Sequence, residues 1–128
     1  MADNSIKPED VVAAIIKKDN HYLIAQRGKD KYMGLKWEFP GGKVEANETL
    51  QEALTREIYE ELNININVYE KIAKERYKDS EINIVLHYFL CSIKDGVISL
   101  NEHEAMEWLI KKILINMTLL WVMEILHH

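Results

Sequence analysis

Glutamates stand in the apolar stripe of the most regular helical segment of this chain, and no other feature narrows the possible folds so far. Residues 50–62 repeat their apolar side chains with the period of a helix, about 100° per residue. With Leu50 at 0°, Ala53, Leu54 and Ile58 fall at roughly 300°, 40° and 80°. That is a stripe of ordinary width. Glu57 falls at about 340° and Glu61 at about 20°, in the middle of it, and Glu60 lies at its edge at about 280°. The outward face takes Glu48, Thr49, Gln51, Glu52, Thr55, Arg56 and Tyr59. A glutamate-rich helix is usually a solvated one, but here the phase of the acids argues otherwise. Burying an unpaired carboxylate costs several kcal/mol even after relaxation, so positive charge is expected beside them. A hard divalent cation such as magnesium fits best, because it takes oxygen ligands.

The segments around this helix alternate in period. Residues 1–10 read as a loose polar lead-in, and residues 11–16 as a strand covered on both faces. A turn at residues 17–20 leads to a second strand over residues 21–27. A charged loop at 28–34 and a tight turn at 37–42 follow. Thr49 and Glu52 match a capping box at the helix start. Asn63, which tolerates left-handed backbone, marks the helix end. Strands are expected at 64–68, 69–77, 81–93, 97–100 and 105–110, and a helix apolar all round at 113–126. That last segment is too short and interrupted to span a membrane, so it is expected in the core or at a homodimer contact. These elements imply an α/β chain with a mixed sheet between helices.

The 128 residues read as one domain spanning 1–128. A net charge of −5 argues against a nucleic-acid polymer as partner. Cys91 is the one cysteine, which excludes an internal disulfide and a thiolate metal cluster. With a polar start and no signal peptide, a cytoplasmic protein is expected, without membrane attachment. His21, His87 and His103 lack zinc-type spacing and read as ordinary histidines. The glycine pair at 41–42 lacks the Walker lysine pattern.

Gly42, Glu48, Arg56, Glu57, Ile58, Glu60, Glu61 and Ile64 stand at the spacing of the Nudix box, Gly-x5-Glu-x7-Arg-Glu-U-x-Glu-Glu-x-Gly-U, with U a bulky aliphatic residue. One fixed position departs: Asn63 replaces the final glycine. Residues 11–16, 23–27 and 38–43 further resemble the MutT branch, its oxidised-dGTP and CTP pyrophosphohydrolases in particular. The resemblance spans residues 10–110 and leaves out the tail.

It implies a Nudix-type α/β/α sandwich and a magnesium- or manganese-dependent hydrolysis of nucleoside diphosphate derivatives. By position, Glu57, Glu60, Glu61 and the Gly41 carbonyl resemble the metal ligands, and Arg56 the residue that orients a catalytic glutamate. Glu102 is a further candidate ligand or general base. Arg27 and Lys43 are candidates for holding phosphate, Phe39 for stacking on the base and Asn116 for reading its edge. The expected reaction is water attack at the β-phosphorus of a nucleoside triphosphate, with Glu57 as base ahead of Glu102. The expected role is sanitising the nucleotide pool of oxidised dGTP or CTP-like substrates, by a monomer or homodimer. The alternatives are another nucleoside diphosphate derivative as substrate, or a weakly catalytic nucleotide-sensing or protein-binding module.

Overall fold

A computed structural model describes residues 7–116. Seven strands and one long helix account for most of them. The strands are β1 (Glu9–Lys18), β2 (His21–Gln26), β3 (Trp37–Glu38), β4 (Gly41–Lys43), β5 (Ile64–Lys78), β6 (Asn83–Gly96) and β7 (Ala105–Ile110). The helices are α1 (Leu50–Leu62) and α2 (Lys111–Leu114). The main path across the sheet runs β3-β2-β1-β6-β5, with β4 also on β1 and β7 also on β2. β1 and β6 are parallel and the other pairs antiparallel, so the sheet is mixed as expected.

β1 is the central strand and is covered on both faces. Val12, Ala14 and Ile16 pack with Ala53, Leu54, Ile58 and Leu62 of α1. Ala13 and Ile15 alternate to the other face, with Ile24, Ile84, Leu86, Tyr88 and Leu114. The turn after β1 holds Asp19 and Asn20 at positive φ, as a two-residue hairpin requires. α1 begins and ends where its local chemistry dictates. Thr49 accepts from the Glu52 amide while the Glu52 side chain accepts from the Thr49 amide, at 3.0 and 2.9 Å. Asn63 closes the helix at φ 60° and ψ 31°.

Three expectations need correction. Residues 64–68 and 69–77 form one strand, not two. Val68 pairs with Cys91 and Lys71 with Phe89, so Tyr69 and Glu70 oppose Leu90 alone, a bulge that resets the side-chain alternation without ending the ladder. The 37–42 turn is flanked by the short strands β3 and β4. Residues 97–100 form no strand: the Ser99 amide, and that of Asn101 just beyond, donate to the Leu62 and Glu61 carbonyls at the end of α1, at 2.9 and 3.0 Å. The expected helix over 113–126 is represented by α2 and the turn to Asn116, and the rest of it lies outside the described residues.

Candidate active site

A cavity of about 470 Å³ opens between β1, β4, α1, the loop after β2 and the loop before β7. Its lining falls into two chemical groups. Glu38, Glu57, Glu61, Glu102 and His103 make an acidic group, flanked by Arg27, Lys31 and Lys43. Phe39, Ile82, Ile84, Leu86 and Tyr88 with Tyr32 make an apolar and aromatic one.

The glycine pair lets α1 approach β1. A Cβ on Gly41 would overlap the Val12 carbonyl, and one on Gly42 would overlap the Glu57 carboxyl. Gly41 must be bare for β4 to lie against β1, and Gly42 for Glu57 to lie where it does. Glu57 is also gripped by its neighbour. Arg56 Nη1 donates to Glu57 Oε2 at 3.3 Å and to Glu60 Oε1 at 3.2 Å. The rest of that guanidinium donates to both Glu48 oxygens, at 2.6 and 2.9 Å, and to the Lys43 carbonyl at 3.1 Å. Arg56 and Glu48 are therefore half-buried braces tying α1 to β4 and the loop before the helix, rather than the solvated pair that their outward phase suggested.

The loop before β7 is fastened to the helix end. Besides the Ser99 and Asn101 amides, the Asn101 side chain donates to the Glu60 carbonyl at 2.7 Å. The Glu104 amide donates to the Gln26 carbonyl at 2.9 Å, which anchors the other side of the loop on β2. Glu102 and His103 are thereby held over Glu61. Glu102 stays 44% exposed, with Lys31 Nζ 3.5 Å away. The His103 side chain is 5% exposed; its Nε2 lies 3.0 Å from Glu38 Oε2, and its Nδ1 lies 3.9 Å from Glu61 Oε1. Glu38 Oε1 in turn accepts from Arg27 Nη1 at 2.9 Å.

Electrostatics follow from this crowding. Burial pushes the Glu61 carboxyl well above the usual carboxylate range, and the hydrogen bond and charge of Glu57, then the charges of Glu38 and Glu102, add to it. Burial also raises Glu57, against the hydrogen bond from Glu61 and the Arg56 charge, which pull it down. In the metal-free protein this crowding favours the protonated form of the Glu57–Glu61 pair, Glu61 above all. Glu48, hydrogen-bonded by Arg56, is lowered to about 2. Cys91, raised to about 12 by burial, is an inert core thiol.

Of the residues expected to act, Glu57, Glu61, Gly41, Glu102, Arg27, Lys43 and Phe39 all line this one cavity. Lys43 stands 68% exposed beside Glu9, and Phe39 belongs to the core under the aromatic wall. Glu60 is 51% exposed and outside the lining, held by Arg56. Asn116 is also outside it, its amide donating to the Lys112 carbonyl of its own turn at 3.3 Å. The sequence did not single out Glu38 or Lys31, and His103 read there as an ordinary histidine, whereas all three line the cavity. Glu38 carried a signal, a charge between Trp37 and Phe39 in an apolar stretch; His103 carried none beyond adjacency to Glu102.

The donors present fit a divalent cation. Glu61 Oε1 and His103 Nδ1 are buried with no hydrogen-bond partner, and a buried acceptor without a partner calls for positive charge. Among the described residues no three carboxylate, imidazole or thiol groups form a ready-made cage. An ion such as magnesium is commonly bound by one or two carboxylates and completed by waters and substrate phosphates.

The NUDIX domain model matches residues 7–118. The chain is 40% identical over 103 residues to the CTP pyrophosphohydrolase of Escherichia coli, covering 80% of this chain and 76% of that protein. It is 31% identical over 105 residues to the 8-oxo-dGTP diphosphatase of the same organism, covering 81% of each. Among solved structures, the MutT NUDIX hydrolase of Burkholderia pseudomallei superposes with a TM-score of 0.84 at 26% identity, over 94% of this chain and 96% of that one.

Proposed function

This chain belongs to the Nudix family, and from that premise we infer that it hydrolyses nucleoside triphosphates to the monophosphate and pyrophosphate. It is a hydrolase of phosphoric anhydride bonds and serves to sanitise the nucleotide pool. The observation that carries this reading is the pairing of buried carboxylates with a bare glycine backbone in a cavity that also has an aromatic wall. Acidic groups facing a polyphosphate need cations between them, and an aromatic wall suits a nucleobase.

Nudix hydrolases generally require a divalent metal. Here Glu57, Glu61 and the Gly41 carbonyl would hold it, and magnesium is the proposed ion, with Glu60 and Glu102 as outer carboxylates. A bound divalent cation neutralises phosphate charge and makes the attacking water more acidic. Arg56 fixes the Glu57 carboxylate through the 3.3 Å bond, and Gly42 leaves room for it. Glu57 then takes the proton of the water that attacks the β-phosphorus. Arg27, Lys31 and Lys43 line the same cavity and offset the negative charge of the phosphates. Phe39, Tyr32 and Tyr88 give the base an apolar seat. The proposed substrates are oxidised dGTP or CTP-like nucleotides, small molecules rather than polymers. No helix of the described residues is long and apolar enough to cross a membrane.

The test is pyrophosphate release with magnesium across a panel of normal and oxidised triphosphates. At least one substrate should yield pyrophosphate and monophosphate in equal amounts. Release from none of them would overturn the reading.

A further inference from the structure

His103 reaches the cavity through bonds that do not involve the Nudix glutamates. The Glu38 carboxylate accepts from Arg27 on one oxygen and faces His103 Nε2 with the other, at 2.9 and 3.0 Å. A carboxylate beside a guanidinium accepts and does not donate. An imidazole hydrogen therefore sits on Nε2, and in the neutral ring, the form that ligates metals, Nδ1 is the bare nitrogen. Nδ1 points at Glu61 Oε1 across 3.9 Å, and neither atom has a hydrogen-bond partner. With the ring neutral and Glu61 ionised, two lone pairs face each other in a buried place, an arrangement that is costly unless a positive charge lies between them. Histidines that ligate metals almost always donate their other ring N–H to a carboxylate or carbonyl, which fixes the tautomer. Glu38 and Arg27 supply that support here. Two donors on one ion, each at about 2.0–2.2 Å, stand no more than about 4.3 Å apart, and 3.9 Å lies within that limit.

The geometry points to His103 Nδ1 as a nitrogen ligand of the site's divalent cation, beside Glu61 Oε1 and oriented by Glu38 and Arg27. This rests on the reading that the site takes such a cation. It changes the site's chemistry, because an imidazole donor favours transition ions over magnesium. The site then suits a transition ion such as manganese as well as magnesium.

The full chain, with a non-hydrolysable nucleoside triphosphate and less than one equivalent of Mn2+, is read by pulsed electron paramagnetic resonance. A directly bound nitrogen coupling is expected. It should shift on 15N-histidine labelling and vanish in His103→Asn. By titration calorimetry, Mn2+ binding should weaken at least about tenfold in His103→Asn and in Glu38→Gln, and Mg2+ binding by less than about threefold. Should a variant fail to fold, the labelled wild-type spectrum decides alone. Tight Mn2+ binding without nitrogen coupling overturns the role of His103 and leaves the carboxylate site standing. Absence of tight Mn2+ binding overturns both.

Discussion

The carboxyl group of Glu57 lies against the Cα of Gly42, closer than a side chain at that position would permit. Helix α1 and strand β4 thus form one unit in which a backbone atom decides where a carboxylate can point. Gly42→Ala should push Glu57 aside while leaving the core intact, since the atoms met belong to the end of a flexible side chain. The expected loss is about a hundredfold in kcat/KM, the size that a displacement of about 1 Å can cause. Stability should fall by only about 1–2 kcal/mol. Steady-state kinetics and a urea melt check the two halves.

Glu61 sets a trade between stability and function. Its folded pKa is raised above the unfolded value, so ionising it costs the folded state. Its contribution is present below the unfolded pKa and is lost as pH rises through the folded one. The metal-free protein should therefore lose stability from mildly acidic toward alkaline pH. Glu61→Gln should flatten that slope and raise Tm at pH 8 by a few degrees, about what 1 kcal/mol gives in a domain near this size. The same variant should lose activity by on the order of a hundredfold or more. Divalent-ion affinity in the wild type should rise with pH, because burial favours the protonated carboxyl and binding must displace that proton. Scanning calorimetry across pH, with and without magnesium, reads all of this.

Glu48 works in the opposite direction. Arg56 holds it at about 2, so its stabilising effect is present above the ordinary carboxylate range and disappears as pH falls toward that value. Glu48→Gln should loosen Arg56, and through it Glu57, at a cost of roughly tenfold in kcat. KM should change little, because Glu48 lines no part of the cavity. A kcat loss matched by an equal rise in KM would argue against this brace.

Asn63 stands where the Nudix box has glycine, and its φ of 60° explains why asparagine serves. Asn63→Gly should change unfolding free energy by only a few tenths of a kcal/mol. Asn63→Val should cost about 1–2 kcal/mol, because a β-branched residue resists left-handed backbone. Denaturant melts of the two variants measure the difference.

The parts of the fold legible in sequence are those controlled by near neighbours. Thr49 and Glu52 cap α1 within four residues, Asn63 ends it, and the unbroken apolar run of β1 announces burial on both faces. The inward phase of Glu57 and Glu61 is likewise a local property of one helix. The errors arose where distant segments decide. Residues 97–100 are apolar enough to read as a short strand, yet the Ser99 amide finds a spare carbonyl at the end of α1. His103 and Glu38 are 65 residues apart in the chain and meet because β2 pairs with both β3 and β7. Arg56 lies on the outward phase of α1, and only the fold of residues 43–48 over the helix start shows that it reaches inward. No helical wheel carries that information.

The central claim is that Glu57 and Glu61 are tolerated in a buried wall because a cation and a polyphosphate occupy the space before them. A crystal structure with magnesium and a non-hydrolysable nucleoside triphosphate tests it most directly. The account predicts metal density touching oxygens of both glutamates and of the phosphate chain, with the base against Phe39 and Tyr88. Both carboxylates turned out to solvent, with the nucleotide bound elsewhere, would contradict it.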